Sequence, residues 1–569
     1  MLNIPYGISD FKSLIEDGYF YQDRTSYIET LENYGSKYFV YLRPRRFGKS
    51  LLLSTLSYYY GVQYKVEFES IFGKTFIGAH STPNANSYLM IRFDFSGIDT
   101  TTAENTFSGI LSNVKKSVSA FLTDYNNIFT KDQRELILKQ NTPSETLKEL
   151  FSCHSNNKIA STIYVLIDEY DHFANELISF NFSLFSDIVS KNGYVRKFYE
   201  VLKIATSSNQ VERIFITGVS PITMDSLTSG FNIAKNITLS PIFHQMTGFD
   251  ESEVQGILEG IDIPTDQVAP ILNDMRLWYN GYLFNSDMTT KLYNPNMVLY
   301  FAQEYKDNKG YPKEMLDVNI ASDYGKIQKL FNIQGREAYY FPILQALSEN
   351  GEVLAPLTSQ FSFEKEFSQD DLVSLLFYMG FLTIKSEEYG AYNFTFPNYA
   401  IKKLYAGYFL SMLHREAHLS IDNRPVNQAI ITMAREGNPE PFFEQVNLIL
   451  KHFSTRDAAH FNENSLKAII ISLLHQQSFF YIHSEYESDW QYMDIFLEAT
   501  RGQKPNFEVA FELKYEKKGG KKLLENIFTH AFEQLKGYLQ TPKFSARPNI
   551  KAWVVVVIGD KLHWKALKY

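Results

Sequence analysis

The sequence predicts a multidomain α/β fold: a parallel α/β domain at the N-terminus, a helical and winged-helix-like lid, and a smaller α/β domain at the C-terminus. Three observations point there. Short apolar runs at Tyr38 to Leu42, Ile163 to Ile167 and Ile214 to Thr217 end in polar or glycine positions, as do buried parallel strands whose functional loops follow their C-terminal ends. After about residue 265 the pattern turns helical. Near the C-terminus two strand-like runs, Tyr492 to Leu497 and Phe507 to Tyr515, precede a helical stretch, Leu523 to Leu539, and an apolar run, Ala552 to Ile558. At roughly 150 residues per domain, 569 residues make two to four domains. The divisions read as 1–265, 266–425 and 426–569.

Taken in order, Arg43 to Ser50 interrupts the first strand, and Leu51, Leu52, Leu56 and Tyr59 then recur at helical spacing. The second strand runs into Asp168 and Glu169, and the third into Gly218. In the middle of the chain Leu372, Leu375, Leu376 and Met379 make a helical stripe ending at Gly380. Phe381 to Ile384 and Tyr392 to Phe396 follow as a hairpin, which is not basic and therefore reads as interdomain packing rather than DNA contact. Residues 426–454 read as helical connectors.

Composition excludes several classes. Apolar residues are 44% and charged residues 21%, so the chain is neither disordered nor a coiled coil. Aromatics reach 15%, and any single one reads first as packing. One cysteine, Cys153, excludes internal disulfides and multi-cysteine metal sites. The N-terminus has no basic region followed by an apolar stretch, and no run of about 18 apolar residues occurs, so the expectation is a cytoplasmic chain with no membrane partner. Delivery to a host cell as an effector is compatible with the same features. The net charge is −9, yet Arg501 to Tyr569 holds 14 Lys and Arg against 6 Asp and Glu, or +8, leaving −17 for the rest. That local excess suits a nucleic-acid partner.

The octapeptide Arg43-Pro44-Arg45-Arg46-Phe47-Gly48-Lys49-Ser50 lies between a strand and a helix, where GxxxxGK[ST] cradles phosphates with backbone N–H groups. Lys49 would reach the outer phosphates, Ser50 would ligate Mg²⁺, and Gly48 lets the backbone approach. Arg43 replaces the usual first glycine; Arg45 and Arg46 either grip phosphate or form a solvated turn. Asp168 fits a metal-side carboxylate, Glu169 a base or water-positioning residue, and Thr217 a sensor of the outer phosphate. The competing readings are a solvated glycine turn and a helix cap. ATP is the expected nucleotide, whether hydrolysed or only bound.

Side chains alternate along a strand, so Glu508, Ala510, Glu512 and Lys514 share one face, opposite Val509, Phe511 and Leu513. With Asp494 on the neighbouring strand, Asp494, Glu512 and the Leu513 carbonyl could hold Mg²⁺, or Mn²⁺ in its place, while Lys514 orients water or stabilises developing charge. Gln534 and Tyr538 lie four apart on the following helix. A solvated ion pair is the bland alternative for Glu512 and Lys514 alone.

Two resemblances follow from these residues. Ile4 to Phe11 (IPYGISDF), Tyr19 to Ile28 (YFYQDRTSYI), Arg43 to Ser54 (RPRRFGKSLLLS), Val165 to Asp171 (VLIDEYD) and Phe215 to Ile222 (FITGVSPI) resemble the AAA-ATPase-like domain of bacterial proteins, in which arginine at position 43 is usual. The segment from about Glu463 to Ile558 resembles the PD-(D/E)XK nuclease superfamily domain commonly fused to it. That resemblance assigns Asp494, Glu512 and Lys514 to the core motif, Glu485 to the preceding acid, Gln534 to the helix glutamine and Glu463 to the helix acid. Gln491-Tyr492-Met493-Asp494 stands where the family has Gly-Arg-x-Asp, which bears on substrate positioning. Trp278 to Tyr282 and Tyr293 to Pro295 match the family's linker. The resemblance implies an ATP-regulated, Mg²⁺-dependent nuclease acting on DNA; the alternative is a nucleotide-switched protein that binds nucleic acid or protein without cutting. Assembly as a homo-oligomer is compatible with either.

Overall fold

The computed structural model describes residues 2–180, 182–189, 193–222, 232–324, 330–331, 337–361, 366–416, 422–451, 463–488 and 491–567, a few of them, Glu485 among these, in backbone only. The chain forms two compact units. The first comprises Met1–Lys306, Lys326–Phe341 and Val353–Asn398, and the second Asp307–Gly325, Pro342–Glu352 and Tyr399–Tyr569.

The first unit is built on a parallel five-stranded sheet of β1 (Tyr38–Leu42), β2 (Leu89–Asp94), β3 (Ile163–Asp168), β4 (Val211–Gly218) and β5 (Lys235–Asn236), in the order β2-β3-β4-β1-β5. The apolar runs read as strands are β1, β3 and β4. Strand β3 is buried at every position, as a strand covered on both faces must be. The order matters for function: β4 lies between β1 and β3, so Thr217 at its end stands between the Arg43–Ser50 loop and Asp168. The helix Lys49–Tyr60 packs Leu52, Leu53, Leu56, Tyr59 and Tyr60 into a core with Phe39, Tyr41, Met90 and Phe215.

A three-stranded sheet of order β6-β8-β7 joins β6 (Glu352–Ala355), β7 (Thr383–Glu388) and β8 (Ala391–Thr395). The last two form the hairpin expected after the helical stripe, which is the helix Gln369–Tyr378.

The second unit holds a mixed sheet of β9 (Phe480–Ser488), β10 (Gln491–Ala499), β11 (Glu508–Glu516), β12 (Ile550–Ile558) and β13 (Lys561–Ala566), in the order β13-β12-β11-β10-β9. Strands β11 and β12 are parallel, connected through the helix Lys521–Leu539; the other pairs are antiparallel. Both faces are covered. Val509, Phe511 and Leu513 pack with the helices Asn423–Glu436, Glu440–Leu450 and Glu463–Leu474. Ala510, Val554 and Val556 pack with Phe528, Ala531, Leu535 and Tyr538 of the Lys521–Leu539 helix. The alternation read from the sequence is therefore how this sheet divides its two cores.

Gly218 ends β4 against the Asp171 carboxylate and the Tyr170 ring, and a Cβ there would overlap both. Asp171 accepts from Val219 N–H, Ser220 N–H and the Ser220 hydroxyl, so it cannot retreat without leaving those donors unpaired. Gly218→Ala should lower stability by roughly 1–3 kcal/mol in denaturant titration, the usual cost of overpacking; an unchanged midpoint would contradict this account of the strand end.

Candidate functional site

In the first unit, Gly48 caps the Lys49–Tyr60 helix in a left-handed conformation (φ 89°) with nothing within 4 Å of where a Cβ would stand. Only glycine adopts that conformation without strain, and the helix N-terminus behind it presents N–H groups to an anion. Arg46 also has positive φ, 62°, and is exposed. Lys49 is buried and donates from Nζ to the carbonyls of Arg43 and Pro44, each at 2.9 Å. Burial draws its pKa down, opposed by the negative charges of Asp168, Glu169 and Asp171. Ser50 is half-buried in the first turn of the helix.

Arg43 is placed away from the open side of the loop. Its guanidinium is buried, donates to the carbonyls of Leu42, Thr238, Phe243 and His244, and lies 4.4 Å from the Tyr41 ring centre and 4.1 Å from that of Phe284. The loop is thus tied to the Thr238–His244 segment by the side chain that replaces glycine.

Asp168 is buried at the end of β3. Its Oδ1 accepts from the Thr217 hydroxyl at 2.8 Å and from Glu169 N–H at 3.1 Å, and its Oδ2 pairs with the Arg92 guanidinium at 2.9 Å. Arg92 comes from β2, where it faces Leu166 across the ladder and so shares a face with Asp168. Glu169 has positive φ, 47°, and its Oε2 lies 3.0 Å from His172 Nδ1. The His172 contact holds its pKa below the usual carboxylate range against burial, helped by Lys49 and Arg45. Sequence reasoning assigned Arg92 no part: an arginine inside an apolar run shows no function until β2 is known to lie beside β3.

In the second unit the β10–β11 ladder pairs Ile495 with Phe511, and Asp494 stands one residue beyond. Its side chain takes over from the ladder: Oδ2 accepts from Leu513 N–H at 2.8 Å. Lys514 Nζ lies 2.8 Å from Glu512 Oε1 and 3.7 Å from Asp494 Oδ2, and Lys467 Nζ lies 3.9 Å from Asp494 Oδ1. Asp494, Glu512 and Lys514 are therefore together, as the spacing requires. Glu463 starts the Glu463–Leu474 helix, and its pKa is raised by burial, with Lys514 opposing and Asp494 adding.

Glu512 is the anomalous group. It is 2% exposed, its Oε2 is buried with no hydrogen-bond partner among the described residues, and burial followed by the Asp494 charge pushes its pKa up to about 7. Tyr538 lies on the same side, where both carboxylates bear on its hydroxyl, while Gln534 one turn earlier is exposed. Glu485 lies on β9, but its side chain falls outside the described residues. Cys153 is buried and takes no part. Among the described residues no group of three or more His, Cys, Asp or Glu is gathered around a metal position. Two carboxylates, one with an orphaned buried oxygen, nevertheless fit Mg²⁺, which takes one or two carboxylates and keeps several waters.

Residues 5–228 match the family described as a predicted AAA-ATPase, AAA-ATPase-like, and residues 461–566 match the PD-(D/E)XK nuclease superfamily. The chain joins an AAA-ATPase-like domain to a PD-(D/E)XK nuclease superfamily domain. An uncharacterised protein from the vnfD 5′ region of Azotobacter chroococcum mcd 1 is 24% identical over 417 residues, covering 70% of this chain and 68% of its own. A Walker-type ATPase from Pyrococcus abyssi aligns with a TM-score of 0.40 and 13% identity over 71% of this chain and 97% of its own. Among the described residues no helix is long and apolar enough to cross a membrane.

The Glu512 shift fixes a pH dependence. Its folded pKa is raised above the unfolded value, so between about 4.5 and 7 the folded chain holds a proton that the unfolded chain has lost, and stability falls as pH rises. Metal-free protein should lose stability across that window, and Glu512→Gln should flatten the loss, as read by denaturant midpoints in chelator at several pH values. Parallel profiles for the two proteins would refute the assignment.

Proposed function

We propose that the chain is an ATP-regulated, Mg²⁺-dependent nuclease that hydrolyses phosphodiester bonds in DNA. The observation that carries this reading is the buried Glu512 acceptor without a partner beside Asp494 and Lys514. Asp494 and Glu512 would hold the cation, which supplies Lewis-acid polarisation of the phosphate and a more acidic water when bound. The Leu513 N–H faces Asp494, and since one strand residue turns its N–H and C=O to the same edge, the Leu513 carbonyl is a third oxygen for the same position. Lys514 stabilises the charge that develops on the phosphate oxygens and orients the attacking water. Tyr538 and Gln534 contact substrate from the helix; Glu463 adds to the acidic rim, and Glu485 takes the role of the preceding acid.

In the ATPase-like domain the Gly48–Ser50 turn takes the phosphates, with Lys49 leaving the Arg43 and Pro44 carbonyls for the nucleotide. Ser50 and Asp168 serve Mg²⁺, Glu169 positions water, Thr217 senses the outer phosphate, and Arg46 lies at the exposed mouth. Arg43 acts through the loop it anchors. Arg92 occupies one oxygen of Asp168, so loading the metal side requires that pair to open.

The test is incubation of the purified chain with linear and supercoiled DNA and Mg²⁺, with and without ATP, beside Glu512→Ala and Lys49→Ala. Cleavage should fall at least about 100-fold in Glu512→Ala and change its ATP response in Lys49→Ala. If the wild type cuts neither DNA, or Glu512→Ala cuts equally well, the nuclease reading is wrong for DNA, and binding without cleavage would favour the nucleotide-switched binding protein.

A further inference from the structure

The nuclease-like domain carries a group of basic side chains remote from the Glu512–Lys514 motif in sequence, one of which, Lys467, reaches Asp494. The helix Tyr399–Glu416 packs against the helix Glu463–Leu474. From the first come Lys402 and Lys403; from the second and the residue after it come Lys467 and His475. Lys467 is 4% exposed with its Nζ 3.9 Å from Asp494 Oδ1. Lys402 is half-buried and makes no hydrogen bond or ion pair with any described residue. His475 is 3% exposed, tilted against the Tyr399 ring, and neither of its ring nitrogens has a hydrogen-bond partner among the described residues. Lys403 donates to the Ser478 hydroxyl at 2.6 Å and lies 3.8 Å from Glu314.

These groups act on one another. Burial and then the Lys467 charge lower the Lys402 pKa, and burial and then Lys402 and Lys403 hold His475 well below its ordinary value. Lys467 has Asp494, which it shares with Lys514, and Glu463 one turn earlier, and Lys403 has Glu314 and Ser478, but Lys402 has no anion of its own among the described residues. Uncompensated positive charge held out of water is costly, and a chain retains it where an anion arrives to neutralise it. Glu463, Lys467, Ile471 and His475 recur every fourth residue along one helix face, so Lys467 and His475 are about 12 Å apart at 1.5 Å per residue, with Lys402 influencing both.

We propose that Lys402 is the contact residue of an anion subsite, backed by the charges of Lys467 and Lys403, which holds a phosphate of the polynucleotide next to the scissile one. The subsite rests on the nuclease reading and extends it from the reacting phosphate to the strand that carries it. Lys402 meets the phosphate because it is half-buried and has no hydrogen-bond or ion-pair partner among the described residues, whereas Lys467 is buried against Asp494 and Lys403 is held by Ser478 and Glu314; the Lys467 and Lys403 charges set the potential behind it. The shared chemistry is a phosphate, either inside the chain or at its 5′ end.

The experiment uses the full chain carrying Glu512→Gln, so that binding is read without cleavage. Fluorescence anisotropy with a labelled single-stranded oligonucleotide, 5′-hydroxyl or 5′-phosphorylated, is followed from 50 to 200 mM salt, a range over which phosphate binding weakens strongly. Adding Lys402→Gln should weaken binding roughly 10-fold and reduce the salt slope by about 0.7, the change expected when one phosphate fewer of a single strand is neutralised, while Lys402→Arg retains both. Loss confined to the 5′-phosphorylated oligonucleotide supports the subsite and places the phosphate at the chain end; equal loss on both supports an internal one. Unchanged affinity and slope in folded Lys402→Gln would overturn the subsite and leave the nuclease reading standing. If the Glu512→Gln chain binds neither oligonucleotide and the wild type cuts none, the nuclease reading fails and the subsite with it.

Discussion

A carboxylate buried beside a second carboxylate is unfavourable as an anion unless positive charge comes between them, and the C-terminal domain is organised around such a pair. Glu512 and Asp494 meet where the β10–β11 ladder ends, and Lys514 lies nearer to Glu512 than to Asp494. One lysine does not satisfy both: Glu512 keeps an oxygen with no partner and a pKa of about 7. The rest of the domain makes this tension persist. Apolar residues on both sheet faces prevent the strands from spreading to admit bulk water, and the helix Lys521–Leu539 closes one side with Phe528, Ala531, Leu535 and Tyr538. A site of this kind holds its affinity for a cation in advance, because the desolvation cost has already been met by folding.

The AAA-ATPase-like domain resolves the same problem differently. Three ionised groups of its site are each given an internal partner: Lys49 the loop carbonyls, Asp168 the Arg92 guanidinium and Thr217 hydroxyl, Glu169 the His172 ring. An arrangement so satisfied is stable without ligand, and any nucleotide bound there must exchange these partners for its own groups. Arg43 remains fixed through such an exchange, since its guanidinium is closed in by four carbonyls and two aromatic rings in the core.

Much of this was legible in the residues. Apolar runs marked β1, β3, β4 and β12, and the two-residue alternation of β11 correctly separated Glu512 and Lys514 from Leu513. The adjacency of Asp494 and Glu512 followed from two consecutive strands with a short connection. What was not legible depends on partners distant along the chain. Arg92 sits in a run that reads as an ordinary strand, and its meaning comes from the sheet order. Arg43 looked like a departure inside a loop, whereas its partners lie about 200 residues away at Thr238 and His244. Lys402 and His475 carry no motif, and their common environment arises only from two helices packing together. Gln534 matches by position on the helix, but it is exposed, and its role does not follow from the match alone.

The measurement that bears most directly on the central claim is calorimetric titration of Mn²⁺ into the full chain at pH 6, in two buffers of different ionisation enthalpy, beside Glu512→Gln. If Glu512 is the protonated, unpartnered ligand of a cation site, the wild type binds an ion that Glu512→Gln does not, and that binding releases close to one proton. Binding that is identical in the two proteins, or that releases no proton at pH 6, would contradict the account.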